Sequence, residues 1–338
     1  MIDVAFDARL TSHMSAGMRT YTSELRARLP RVARDLRFAF FGSGDNFDVA
    51  EQVAMPMWIA RHRPRLVHFP SPLVPLVRPR PYVMTIHDLI ELRSPEYGKR
   101  KVVPYYRYVV APAARAARAV ICDDGRTTQD LEHFLGVGSQ RVRVVPLGVD
   151  ETFLEAAAAP LEPGRYLLYV GNRRKHKDLE TLLEAWSTLP AGLALDLHLT
   201  GPDDSELAAY RARFALSDAR LVALGDLSDR ALIAAYRGAF AYVHPSRYEG
   251  FGLPMLEAAV LGVPLVVSDA SVPEVLRAGA FVFPAGDARA LRTLLEQLVA
   301  DPARALAAAT ALQPQARELT WDRCAQATAA VYRAVLRP

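Results

Sequence analysis

The densest set of chemically useful side chains in the 338-residue sequence lies between His244 and Asp269, HPSRYEGFGLPMLEAAVLGVPLVVSD. Glu249 and Glu257 stand eight positions apart there, and carboxylates are well suited to gripping sugar hydroxyls in pairs. Gly250 and Gly252 let the backbone approach a ligand closely. Pro254 suits the first turn of a following helix, whose free N–H groups favour phosphate or sugar oxygens. Alone, such a pair of glutamates reads as a solvent residue and an ordinary helix former; the Gly-Phe-Gly-Leu-Pro between them makes that bland explanation the weaker one.

Two further segments carry charge or a titratable ring. YVGNRRKHKDLETLLEAW, residues 169–186, holds Lys175 and Lys177, two of the four lysines in the chain. Cations between a strand end and a helix start suit the neutralisation of a diphosphate leaving group, although a solvated basic turn is the plainer alternative. VMTIHDLIELRSPE, residues 83–96, puts His87 and Asp88 at the end of a strand. A lone histidine is more often structural than catalytic, so the strand-end position is what gives His87 weight.

The elements that must hold these residues are legible as alternation. Short apolar runs near 2–6, 37–41, 66–69, 82–86, 119–122 and 142–145 alternate with helical stretches, among them one with Tyr21, Leu25 and Leu29 on a single face and one at 51–62 interrupted by Pro56. Such alternation predicts parallel strands joined by crossover helices. PLGVDETFLEAAAAPLEPG at 146–164 breaks the rhythm. Strands near 166–171, 194–199, 220–223, 240–243, 264–267 and 280–283 resume it, with helices near 179–189, 204–214, 229–237, 254–262, 272–278 and 287–300. The reading is α/β, with two Rossmann-like doubly wound parallel-sheet domains over residues 1–155 and 156–319. A last amphipathic helix at about 320–338 is a candidate to pack back on the first domain.

At this point a family resemblance becomes specific. EGFGLPMLE resembles the E-x7-E motif of the retaining glycosyltransferases of family 4, group 1, and the flanking HPS and LGVPLVVSD are similar too. The resemblance implies the GT-B fold, two such domains facing each other across a cleft, and transfer of a hexose from a nucleotide-sugar. It implies that Glu249 contacts the donor hexose, that Glu257 contacts the ribose, and that Gly250, Phe251, Gly252 and Leu253 lie alongside the donor. Lys177 matches the family's phosphate-binding lysine. Asn172 stands where the family's arginine usually follows the glycine, leaving Arg173 or Arg174 as substitutes. His87 matches the T-x-H-D segment, with a polarising or orienting role near the reacting centre. Gly17 in SAGMRTYTSEL matches the first position of a Gly-rich loop, with Arg19 in place of the second glycine, and an ordinary helix entry explains it equally well. Backbone around Gly225–Leu227 borders the expected base. GNRRKHKDL and EGFGLPMLE are similar to mannosyltransferase variants, so GDP-mannose is the first donor expected, ahead of UDP-sugars.

Several classes are set aside. No G-x-G-x-x-G or G-x-x-x-x-G-K-[ST] occurs, which removes dinucleotide oxidoreductases and P-loop NTPases. No D-x-D triplet occurs either, so no metal or other cofactor is expected and Lys/Arg with helix dipoles are left to meet the diphosphate. Residues 1–160 hold 22 Lys/Arg against 17 Asp/Glu, and the remainder 19 against 20. The basic first half suits a peripheral contact with an anionic membrane face. Nucleic-acid binding is not expected, because no aromatic platforms are interleaved with the arginines. Two cysteines and the lack of a signal pattern point to the cytoplasm. The acceptor expected is a glycan or lipid-linked saccharide. An epimerase or a non-catalytic nucleotide-sugar-binding protein on the same fold is the alternative.

Overall fold

The computed structural model describes residues 1–12, 14–42, 49–78, 81–94, 102–159, 161, 163–193, 195–216 and 220–337. Among them, twelve strands form two parallel sheets of six. The first comprises β1 (Val4–Asp7), β2 (Phe38–Phe41), β3 (Leu66–Phe69), β4 (Tyr82–Thr85), β5 (Ala119–Cys122) and β6 (Val142–Val144), in the order β2-β1-β3-β4-β5-β6. The second comprises β7 (Tyr166–Tyr169), β8 (Asp196–Leu199), β9 (Leu221–Ala223), β10 (Ala241–His244), β11 (Leu265–Ser268) and β12 (Phe281–Phe283), in the order β12-β11-β10-β7-β8-β9. Every residue of β1, β3, β4, β5, β10 and β11 is buried, as parallel strands covered by helices on both faces require. The α/β doubly wound class expected from the sequence is the one observed.

The chain divides into two compact units, Met1–Gly148 with Leu319–Pro338, and Val149–Glu318. The division falls earlier than the 155/156 boundary expected from the Ala/Pro/Gly run. The reason is local. Asp150 caps the short helix Glu151–Ala156 by accepting from the Thr152 amide at 2.9 Å. Phe153 then buries edge-on against Tyr236 of the second unit, which ties this helix there.

The closing helix, Trp321–Leu336, belongs to the first unit. It buries Trp321, Cys324, Ala325 and Tyr332, and Asp322 and Arg333 pair with Arg28 and Asp35 of that unit. Its entry is so tight that a Cβ on Gly148 would lie 2.1 Å from the Trp321 amide nitrogen.

Three longer helical stretches lie outside the helices expected from the sequence. Gly125–Leu135 follows an Asp124 cap. Residues 102–116 run from α-helix through a π-helical segment, Tyr106–Val110, back to α-helix. Pro302–Arg317 is Ala-rich, carries Pro314 inside, and has too weak an apolar stripe to stand out. Pro56 does not end its helix, Val49–His62; Met55 and Ile59 are buried on either side of it and hold the helix against the loss of one backbone bond.

Candidate active site

In the second unit the strand order reverses between β7 and β10. Open α/β sheets bind ligands beyond the carboxyl ends of the strands at such a switch point. The loop after β7 carries Lys177 and the loop after β10 carries Glu249, and the two loops are joined. Lys177 Nζ pairs directly with Glu249 Oε1, the Arg247 amide donates to the His176 carbonyl at 2.7 Å, and Arg247 Nε lies 2.9 Å from Asp178 Oδ2.

Glu249 Oε1 is the focus of the arrangement. Besides Lys177 it takes His244 Nε2 at 2.9 Å and Ser246 Oγ at 2.9 Å, while among the described residues Oε2 has no partner. Burial raises the Glu249 carboxyl, but the opposing pull of Lys177 and His244 is larger and holds it well below the usual carboxylate range. Glu249 is therefore an anion with one oxygen pinned and the other open. His244 is lowered as well, which keeps its ring neutral. Burial and the Lys177 charge keep its pKa below the ordinary value despite Glu249.

Behind this loop, Gly252 has φ +82°, and a Cβ there would lie 2.2 Å from the Met255 methyl, so glycine is required by both conformation and space. Phe251 is buried and Gly250 is buried. The helix Leu253–Val260 starts at once, with Pro254 in its first turn and no side chain capping its N-terminus, so backbone donors stay available there. Glu257 sits within that helix, its Oε2 2.9 Å from Tyr236 Oη. With no cation beside it, burial dominates and raises its pKa to about 7.

The Lys177 loop is shaped by its own turns. Asn172 Oδ1 accepts from the Arg174 amide at 3.1 Å and the Asn172 carbonyl accepts from Tyr169 Oη at 2.6 Å. Arg173 is committed elsewhere: its guanidinium pairs with Asp204 at 2.6 Å and also donates to the Pro202 carbonyl. Arg174 is exposed, and its guanidinium has no partner among the described residues. Of the two arginines, Arg174 is the one free to meet an anion. Gly225, with φ +66° and nothing within 4 Å of a Cβ, pairs with Gly201 at 2.9 and 3.0 Å.

In the first unit His87 follows β4. Its Nδ1 is 2.7 Å from Asp123 Oδ2, which follows β5, and its ring stands edge-on to Tyr21 with centroids 4.6 Å apart. Its Nε2 is buried without a hydrogen-bond partner, as is Asp123 Oδ1. Burial lowers the His87 pKa, but the Asp123 carboxylate, with Asp88 and the Pro70 backbone adding to it, raises it on balance. Tyr21 Oη lies 3.0 Å from Thr85 Oγ1, which is 2.9 Å from His68 Nε2, and His68 Nδ1 is 2.6 Å from Tyr332 Oη. His68 is driven down to about 3 by burial and is a neutral core residue. Asp88 Oδ1 accepts from the Ile90 amide at 3.1 Å, at the entry to the short helix Ile90–Arg93. Gly17 lies in the first turn of the helix Ala16–Val32, behind its Ser15 cap, with open space where a Cβ would project.

Asp123, His244, Ser246 and Tyr236 were not singled out from sequence. His244 and Ser246 stand in the HPS triplet, whose strand-end position was the available signal. Asp123 occupies the same place after β5 in ICDDG. Among the described residues no group of three or more His, Cys, Asp or Glu is placed to hold a metal ion, and no helix is long and apolar enough to cross a membrane.

Two doubly wound sheets, with a carboxylate, cations and an uncapped helix end gathered at a switch point, define a protein of the GT-B class. Residues 151–318 match the family described as Glycosyl transferases group 1, and residues 17–153 match Glycosyltransferase Family 4. The chain is 27% identical to the O-antigen chain mannosyltransferase B of Escherichia coli over 74% of this chain and 70% of that protein. It is 30% identical to the lipopolysaccharide core biosynthesis mannosyltransferase LpcC of Rhizobium leguminosarum bv. viciae, over 71% and 70%. Its fold superposes on Anabaena HepE, solved in complex with UDP-glucose, with a TM-score of 0.74 at 18% identity over 99% of this chain and 100% of that one. The chain belongs to the group 1 glycosyltransferases of glycosyltransferase family 4.

Proposed function

We propose that this glycosyltransferase moves mannose from GDP-mannose to a glycan or lipid-linked saccharide in polysaccharide biosynthesis, with retention of anomeric configuration and without a metal. The observation that supports this most strongly is the Glu249 carboxylate. Three donors fix Oε1 and leave Oε2 for a hydroxyl of the transferred sugar. In this reading the second unit holds the donor. Lys177, Arg174 and the uncapped start of the helix Leu253–Val260 meet the diphosphate, and Glu257 takes the ribose. In the first unit Asp123 fixes the His87 ring and leaves the unpartnered Nε2 for a substrate hydroxyl. The bond from the anomeric carbon to the diphosphate breaks as the acceptor oxygen bonds on the same face and its hydroxyl proton passes to the departing diphosphate oxygen, which needs no covalent nucleophile from the protein. The names of the relatives favour mannose. The protein would work in the cytoplasm, with its basic first unit in peripheral contact with the inner membrane face.

The test begins with a melting-temperature panel of nucleoside diphosphates, since a ligand of the native state alone raises Tm. GDP should give the largest rise. The matching sugar nucleotides are then incubated with saccharide acceptors, and the product anomer is read by NMR. A rise with UDP alone overturns the base assignment. An inverted product overturns retention, and donor epimerised without transfer overturns the reaction itself.

A further inference from the structure

His87 and Asp123 mark the carboxyl ends of β4 and β5, and the opposite edge of the same sheet carries a second constellation that the reaction does not use. Pro81 precedes β4, Arg118 precedes β5 and Arg141 precedes β6. With Arg115 they border a cavity of about 780 Å³. None of its described lining residues is Asp or Glu, so three guanidiniums face it without a neutralising carboxylate. Arg115 and Arg141 each spend one nitrogen on a backbone carbonyl, of Leu135 and of Arg115 respectively. These bonds orient the two side chains and leave their charge unmet. Arg118 is exposed, and its guanidinium has no partner among the described residues.

Pro112 and Arg115 also border a second cavity of about 660 Å³, lined further by Arg107, Tyr108 and Phe134 and again by no acid among the described residues. Arg107 and Tyr108 are brought there by the π-helical segment Tyr106–Val110, which turns Tyr106 and Val110 into the core and leaves Tyr108 70% exposed. Single π turns inside helices are frequent at functional sites. Clustered arginines without counter-charges suit a multiply charged oxyanion, and a phosphate group presents several oxygens that their planar forks can grip in pairs.

We infer that the amino-terminal edge of the first sheet is a binding site for a phosphate-bearing ligand, separate from the strand ends that carry His87. Arg115, Arg118 and Arg141 take the phosphate, and the adjoining Tyr108 and Phe134 cover the less polar part of the same ligand. The phosphate can belong to a soluble compound or to a lipid headgroup, and the assay separates the two. This inference does not depend on the identity of donor or acceptor.

Full-length protein is titrated with inorganic pyrophosphate by calorimetry and with vesicles of phosphatidylglycerol in phosphatidylcholine by co-sedimentation, at low and at physiological salt. The variant Arg118→Ser/Arg141→Ser removes two exposed side chains. The charge-matched control Arg34→Ser/Arg61→Ser removes two exposed arginines elsewhere on the same unit. Each lost guanidinium should weaken binding by roughly tenfold, while the control stays near wild type. Because the catalytic end also binds diphosphates, the calorimetry is repeated with Lys177→Ala, which should keep the Arg118-dependent binding. Pyrophosphate binding that depends on Arg118 identifies a soluble ligand, and vesicle binding alone with the same dependence identifies a headgroup. If neither probe binds, or if the control loses as much as the Arg118→Ser/Arg141→Ser protein, the site is overturned. Should that variant melt early, Arg118→Lys replaces it; lysine keeps the charge and loses the planar fork, so retention of full affinity would argue against the phosphate geometry proposed.

Discussion

His87 and His244 are both buried, both lie at the carboxyl end of a parallel strand, and both bond a carboxylate, yet their surroundings bias them in opposite directions. Burial disfavours the charged ring in each. At His87 burial is opposed by the Asp123 carboxylate, with Asp88 and the Pro70 backbone adding to it, and together they hold the ring above its ordinary pKa. At His244 the carboxylate is shared with Lys177, whose charge depresses both Glu249 and the ring. The same pair of side chains thus becomes an imidazolium-favouring dyad in one unit and a neutral donor to a fixed carboxylate in the other. Burial is the larger cause at His244, and the Lys177 charge adds to it.

Removing that lysine is the sharpest way to break the comparison. Lys177→Ala should lower transfer by about two to three orders of magnitude, as loss of a charge-stabilising donor at a leaving group does. It should also narrow the asymmetry: the His244 pKa, followed by NMR of the ring, should rise once the Lys177 charge is gone, although burial still opposes it. Glu249→Ala should abolish most transfer while the fold survives. Near-wild-type turnover in either variant would remove that residue from the mechanism.

The complementary change is Asp123→Asn, which keeps a partner for His87 Nδ1 and deletes the charge. The His87 pKa should fall, and kcat should drop by about a hundredfold through loss of a fixed orientation and protonation state. The sign for stability follows from the raised folded-state value. The His87 share is fully present below the unfolded pKa of about 6.5 and is lost as pH rises through the folded one. Asp123→Asn should flatten that share in a melting series, and an unchanged pH profile would sink the dyad.

These contrasts also explain what could be read from residues alone. The strands were legible because β1, β3, β4, β5, β10 and β11, buried on both faces, leave apolar runs too short for helices, and the other six fall where the strand–helix alternation calls for them. Glu249, Lys177 and His87 were legible as strand-end residues of reactive type. That Lys177 meets Glu249 was not, because 72 residues separate them and only the adjacency of β7 and β10 brings their loops together. Asp123 was hidden for the same reason, since it acts only because β5 lies beside β4. Arg173 and Arg174 were indistinguishable in sequence; Asp204, the cap of the helix Ser205–Phe214, is what takes Arg173 away. The helix Pro302–Arg317 was missed because alanines pack well without producing a strong stripe.

Glu257 extends the comparison to a carboxylate with no cation at all, and its effect is smaller. Held at about 7 by burial, it ionises across neutral pH. A ribose hydroxyl donates best to the ionised form, so donor affinity should weaken as pH falls from 8 to 6, and Glu257→Gln should remove the slope. For an acid raised in the folded state, stability is lost as pH climbs from the unfolded value of 4.5 to about 7, a cost of roughly 3 kcal/mol that the same variant should relieve. Denaturant midpoints at pH 4.5 and 7.5 measure it, and equal slopes for wild type and variant would place the titration elsewhere.

The smallest change tests whether the first unit keeps room for a ligand that its own packing does not need. Gly17 has an ordinary backbone conformation inside the first turn of a helix, and a Cβ there would touch nothing within 4 Å. Nothing in the folded protein therefore requires glycine, and Gly17→Ala should leave stability unchanged or raise it by about 0.5–1 kcal/mol, because alanine loses less backbone freedom on folding. If the space serves the diphosphate or the acceptor, the methyl group should raise KM for that substrate about tenfold with the melting temperature intact. A variant equally stable and equally active would mean the glycine marks only a helix entry, leaving the ligand contacts of this unit to His87 and its neighbours.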